Sequence, residues 1–231
     1  MTTSSSEYAE HFGIENIPFA IASSENHQKP QAVSRIENTV LFLADLAKDF
    51  DVPSDVFIQP TLNAFAALGR SAQQSVRKVL QAAIKNGSLP ESSKEDISVV
   101  KMHLPFNIGD YTDFSCSPHH NKRAGQALFG QSGKLPPAFF NHPLGYAGRS
   151  SSVRVSGQPT KRSMGQYFEK GVLGLQGKDA TVTYGPCREM DYELEVGVFI
   201  GKPIPYGESV TAGDAHEHVF GYVVFNDWSG K

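Results

Sequence analysis

Three acidic clusters dominate the chemistry available to this chain: Asp110-Tyr111-Thr112-Asp113, Asp191-Tyr192-Glu193-Leu194-Glu195 and Asn226-Asp227-Trp228. Each lies within or beside an apolar stretch that reads as folded interior. A carboxylate next to an apolar interior is costly unless it is paired, hydrogen-bonded or bound to a cation. Three such clusters in one chain suggest a shared cation. An ion held by oxygens alone would be hard, Mg²⁺ or Ca²⁺ rather than Zn²⁺.

Each cluster has more than one reading. If Asp191 to Ile200 is one strand, Glu193 and Glu195 share a face with Cα atoms about 6.6–6.8 Å apart. Flexible Glu side chains can close that gap onto one ion. The alternative is a solvated acidic face, although Gly197 and Phe199 on the same face speak against it. Asp227 follows an unbroken apolar run, Val219 to Phe225, whose lack of alternation predicts burial on both faces. Asn226 and Asp227 then either end a buried strand as site residues or form a turn or helix cap. Asp110 and Asp113 could each cap a turn.

His120 lies seven residues past Asp113, in Ser117-Pro118-His119-His120. A histidine beside a metal-bound water suits a general base, because its pKa lies near neutrality. A pair of surface histidines in a loop is the other reading. Pro143 to Ser152, which carries Tyr146 and Arg149, reads either as a plain tight loop or as a glycine-flanked one that brings backbone close to a ligand and aims the Tyr146 phenol at it. It lacks the lysine of a phosphate-binding loop. His216-Glu217-His218 is set aside as a metal site: Thr211 to His218 reads as a short polar helix or turn, on which residues two apart diverge.

The elements that must hold these groups differ along the chain. Ile14 to Ile21 is an apolar island in a polar arm. Ala32 to Ile36 and Val40 to Leu43 flank Glu37-Asn38-Thr39 as a hairpin. Pro60 to Gly69 reads as a short helix. A longer one is predicted from a capping box at Ser71 and Gln74, through Val76, Val79, Leu80, Ala83 and Ile84, to Asn86-Gly87. Val99 to Leu104 is a strand candidate, and a domain boundary is placed at about residue 104. Beyond it Gly, Pro and short apolar runs predict an all-β region.

Bulk properties exclude some classes. At 231 residues the chain can bury a sizeable core, and its net charge of −3 with scattered basic residues gives no nucleic-acid footprint. No apolar run approaches the ~20 residues that span a bilayer, and the first residues lack a secretory signal. Cys116 and Cys187 are too few for a disulfide framework, which points to a reducing, cytoplasmic compartment.

Taken together these stretches resemble the fumarylacetoacetase family. The resemblance runs through Gln59 to Gly69, Ile108-Gly109-Asp110-Tyr111-Thr112-Asp113-Phe114, His142-Pro143-Leu144-Gly145-Tyr146 and Gly148-Arg149. It continues through Val155-Ser156-Gly157, Met164-Gly165-Gln166, Gly185-Pro186-Cys187-Arg188, Asp191 to Glu195, Ala215 to Gly221 and Asn226-Asp227-Trp228-Ser229. It implies a mainly β fold with some α. Residues 1–104 would form a small SH3-like barrel domain with helices, and 105–231 an incomplete mixed β-sandwich or roll catalytic domain. By resemblance Asp113, Glu193, Glu195 and Asp227 match ligands for Mg²⁺ or Ca²⁺, His120 a general base and Tyr146 a substrate-binding tyrosine. The implied reaction is metal-dependent hydrolysis of a carbon–carbon bond in a β-diketone acid, fumarylacetoacetate, ending tyrosine and phenylalanine breakdown. The implied partners are a small oxo-acid substrate and, where the catalytic domain is complete, a second copy of the chain as a homodimer. No nucleic acid or membrane is expected.

Two positions depart from the family pattern: Ser115 stands where it has a tyrosine and Phe129 where it has an arginine. An aromatic ring in place of a guanidinium removes a bidentate carboxylate clamp. The sequence ends at Gly230-Lys231, where the family continues to a catalytic lysine and a glutamate. The expectation is a truncated, aggregation-prone chain of little activity. Two alternatives stay open: a non-catalytic remnant that binds a cation or a full-length subunit, and a related enzyme acting on another oxo acid.

Overall fold

The computed structural model describes residues 5–130, 134–142, 144–169 and 181–230. The chain is β-rich with three α-helices among the described residues, and it divides into two compact units. The first comprises the residues up to Asn107 together with Arg154–Gln158 and Val196–Val223; the second comprises Ile108–Val153, Pro159–Glu195 and the residues from Val224 on.

The first unit is built on five antiparallel strands: β1 (Phe19–Ser23), β2 (Gln31–Ile36), β3 (Thr39–Phe42), β4 (Lys94–Asp96) and β5 (Lys101–His103), in the order β4-β3-β2-β1-β5. The hairpin expected around Glu37 is present, with Glu37 in the left-handed region at φ 49°. Ile14 to Ile17 forms the arm laid over this unit: Arg77 Nη1 donates to Ile17 O at 2.6 Å, and Gln81 Nε2 to Ile14 O at 3.0 Å.

Two helices pack beside the sheet, α1 (Asn63–Ala67) and α2 (Arg70–Asn86). The capping box at Ser71 is not formed. Gly69, at φ 83°, takes the cap position and has no side chain to cap with, so Ser71 falls inside the helix. Gln73 is buried instead and donates to Ala66 O at 3.0 Å, tying α2 to α1. The predicted stop holds: Gly87, at φ 63°, closes α2 in the left-handed conformation that favours glycine. Val76 and Leu80 of α2 are fully buried, as are Phe42, Phe57, Phe65, Ile21 and Leu43 of the same unit. Phe199 and Phe220, also of this unit, make ring contacts with Phe106, at 4.3 and 5.2 Å between centroids.

The second unit is made of short antiparallel pairs. They are β6 (Thr112–Phe114) with β7 (Gly145–Ala147), β8 (Met164–Phe168) with β9 (Val182–Pro186), and β10 (Met190–Asp191) with β13 (Ser229–Gly230). A fourth pair is β11 (Leu194–Ile200) with β12 (Val219–Asn226), each strand having residues in both units. An all-β region was expected, yet Pro118–Phe129 forms a 12-residue helix, α3. Ser117 accepts at its N-cap from His120 N–H, and Pro118 occupies the first turn, where its missing donor costs nothing.

Packing is uneven. Among the described residues every fully buried apolar side chain lies between Ile17 and Phe106. The Val219 to Phe225 run, expected to be buried on both faces, leaves Tyr222, Val223 and Val224 exposed, because β12 pairs only with β11 among the described residues.

Candidate functional site

The β6–β7 hairpin sets the first acid. Its register places Asp113 directly opposite Tyr146, and two glycines make room for that register. A Cβ on Gly145 would stand 2.7 Å from the Phe114 ring, and one on Gly148 would stand 2.0 Å from the Tyr111 ring. Tyr146, expected in a loop, is therefore a strand residue. Its hydroxyl donates to Asp113 Oδ2 at 2.5 Å. That hydrogen bond, with lesser contributions from desolvation and from the charges of Asp113, Asp227 and Glu195, pushes the phenol pKa up to about 12. At neutral pH it stays a donor.

The other acids come from β11, from the break before it and from the residue that follows β12. The strand expected from Asp191 to Ile200 is interrupted: β10 stops at Asp191 and β11 starts at Leu194. Glu193 sits in the break, where its N–H donates to Asp227 O at 3.1 Å and its carbonyl accepts from Asp227 N–H at 3.0 Å. Asn226 Oδ1 takes a further bond from Glu193 N–H at 3.2 Å. A reciprocal pair of this kind in an antiparallel ladder places both side chains on one face, and Glu195, two residues on, joins them there. Along β11 the acidic face is the covered one. Glu195, Gly197 and Phe199 are half-buried, whereas Leu194, Val196, Val198 and Ile200 are exposed.

Asp113, Glu195 and Asp227 converge. Each is half-buried, and each offers a carboxylate oxygen within 4.8 Å of the other two. Crowding marks their protonation. Burial first, and then the charges of Asp113, Asp227 and Glu193, raises the Glu195 carboxyl above its usual range, with His120 acting in the opposite sense. Asp227 is raised in the same way by burial, Asp113 and Glu193. Glu193 is thus close enough to act on both, although its carboxylate is not one of the three that converge. His120 occupies the first turn of α3, with an exposed side chain.

The remaining candidates separate from this cluster. Asp110 and Asp191 each accept from the next backbone N–H, of Tyr111 at 2.8 Å and of Tyr192 at 2.9 Å, which is framework chemistry. His216 donates through Nδ1 to Gly213 O at 2.8 Å and faces Glu217 through Nε2, while His218 donates to Lys202 O. Their ring nitrogens serve different partners. Pro143 lies outside the described residues, as does the Phe129 side chain. The Tyr146–Asp113 bond and the Asn226 contact had no sequence signal, since each depends on which distant segments pair.

The cluster fits a hard cation by its donor set, which is all oxygen, and by its mutual repulsion, which a positive charge would relieve. The chain's sequence matches two family profiles, "Fumarylacetoacetase N-terminal" over residues 15–105 and "Fumarylacetoacetate (FAA) hydrolase C-terminal" over residues 110–231. It is 35% identical to the fumarylacetoacetases of Aspergillus fumigatus, Bos taurus and Homo sapiens, each over 95% of this chain and 54% of the relative. The chain thus spans about half the length of these curated relatives. With both profiles matched in order along nearly its whole length, the chain belongs to the fumarylacetoacetase family.

Proposed function

We propose that this chain serves the metal-dependent hydrolysis of a carbon–carbon bond in a β-diketone acid, fumarylacetoacetate being cleaved to fumarate and acetoacetate in tyrosine and phenylalanine breakdown. The convergence of Asp113, Glu195 and Asp227 from three distant segments is the observation that carries it. These three, with Glu193, would hold Mg²⁺ or Ca²⁺. Such a cation polarises a carbonyl oxygen as a Lewis acid.

The chain's own groups supply the rest. His120, near enough to Glu195 to act on its carboxyl, accepts the proton of the attacking water. Tyr146, kept protonated by Asp113, holds the Asp113 carboxylate with its one hydroxyl proton and offers its phenol oxygen as an acceptor to a substrate hydroxyl. Residues 1–104 are assigned to an SH3-like domain and 105–231 to part of a β-sandwich or roll catalytic domain. Where the catalytic domain is complete, the assembly is assigned as a cytoplasmic homodimer.

The test is loss of fumarylacetoacetate absorbance with added Mg²⁺ or Ca²⁺. Turnover is expected when the parent is extended to the length of its relatives, and not in the same protein with His120→Ala, which should still bind the cation. Turnover that survives the substitution removes His120 from the base role. A second reading, hydrolysis of a different oxo acid, is favoured by Ser115, whose hydroxyl is engaged by Asn121. Cleavage of another β-diketone acid in preference to fumarylacetoacetate would select it.

A further inference from the structure

Asn121 follows His120 in the first turn of α3 and is half-buried. Its Nδ2 faces three oxygens: Ser115 Oγ at 2.9 Å, Ser117 O at 2.9 Å and Ser115 O at 3.3 Å. Its Oδ1 accepts from the Ser115 hydroxyl at 3.2 Å. Ser115 is in turn fixed to the hairpin, since its N–H donates to Leu144 O at 3.0 Å, one step beyond the β6–β7 ladder. One side-chain amide thereby joins the hairpin that presents Asp113 and Tyr146 to the helix turn that presents His120. All of these residues belong to the second unit.

The consequence is rotational. Two adjacent histidines, His119 and His120, occupy this turn, and neighbours on a helix point about 100° apart. A rotation of α3 by about that angle would exchange one imidazole for the other, and a much smaller one would already draw His120 away from the cluster. A latch on the next residue fixes that rotation, and site geometry has to be held to about 0.5 Å to be productive.

We propose that Asn121 is a positioning residue, which selects His120 over His119 for the Asp113–Glu195–Asp227 cluster by latching the first turn of α3 to Ser115. The proposal rests on the reading of that cluster as a cation site with His120 as its base. It is tested on the full chain with Mn²⁺ as a paramagnetic probe of the cluster, reading the broadening of the imidazole proton signals by NMR. Asn121→Leu keeps the size and removes the amide without adding charge; Ser115→Ala removes only the hydroxyl and serves if the first variant folds poorly.

In the parent, His120 is expected to broaden more than His119. In both variants that difference narrows or inverts, while the signals of His11, His27 and His103 keep their parent widths. In the turnover assay kcat should fall about tenfold to a hundredfold, with KM little changed. Adding Asn121→Leu to His120→Ala should cost nothing more. An unchanged His119-to-His120 ratio in both variants overturns the proposal whatever the turnover. A changed ratio with no turnover in the parent supports the latch and counts against the hydrolase reading alone.

Discussion

Substituting Gly145 by alanine puts the β6–β7 geometry to the sharpest test. The added Cβ would lie 2.7 and 2.8 Å from Phe114 Cδ1 and Cε1, and 2.9 Å from the Asp113 carbonyl oxygen. The Phe114 ring is exposed and can swing away at small cost. The carbonyl cannot, because it belongs to the strand backbone. To reach ordinary contact it must retreat by about 0.5 Å, which is the tolerance within which a site's geometry has to be held. Overpacking of this kind costs about 1–3 kcal/mol. Because the displaced backbone is that of Asp113, cation affinity should fall as well, by about tenfold or 1.4 kcal/mol.

Gly165→Ala is the control, since a Cβ there meets nothing within 4 Å. It should leave stability within about 0.5 kcal/mol of the parent. Urea denaturation measures the first quantity and calcium titration the second. If Gly145→Ala matches Gly165→Ala in both, the glycine does not set the register and the steric reasoning is wrong.

Two further predictions concern the first unit. His27 stacks on Phe42 at 3.7 Å and lies 2.5 Å from Glu95 Oε1, which also accepts from the Ser24 hydroxyl at 2.7 Å. The Glu95 side chain is 8% exposed, so His27→Ala takes one of two partners from a buried carboxylate. The expected loss in urea denaturation is about 3 kcal/mol; a loss within error of zero would show that Glu95 is satisfied by Ser24 alone. His103 is depressed below its usual pKa by burial and, less strongly, by Lys101, and it shares a 2.8 Å hydrogen bond with Ser23 Oγ. A depressed base binds its proton less readily when folded. Its stability contribution is therefore present above the unfolded value of about 6.5 and is lost as pH falls through the folded value. The urea midpoint should drop between about pH 8 and pH 5 more steeply in the parent than in His103→Gln. Equal slopes would remove His103 from that dependence.

Much of this was legible in the sequence, for identifiable reasons. The β2–β3 hairpin and the end of α2 were local, set by turn residues and by Gly87. Alternation along β11 correctly grouped Glu195 with Gly197 and Phe199, but alternation alone does not say which face is inside. Phe199 carried that information, since a large ring stacked on Phe106 must be covered. The break before Leu194 was not legible, because it arises from the backbone pairing of Glu193 with Asp227, 34 residues away by their numbering. α3 has a good helix start in Ser117-Pro118, but its Gly- and Pro-rich surroundings carry the opposite signal. Tyr146 was singled out for a substrate, whereas its contact to Asp113 follows from a strand register that no local rule supplies.

The central claim is that Asp113, Glu195 and Asp227 form one cation site. Calorimetric titration of Ca²⁺ and Mg²⁺ into the chain, and into Asp113→Asn, Glu195→Gln and Asp227→Asn, tests it directly. The account predicts one cation per chain, weakened about tenfold or more by each substitution. It also predicts proton release when the cation binds in the acidic range, because Glu195 and Asp227 hold their protons above the usual carboxylate values. Saturating cation, at about a hundred times its Kd, should add about 2.7 kcal/mol to the stability of the parent. Binding that is absent in the parent, or that survives all three substitutions unchanged, would contradict the account.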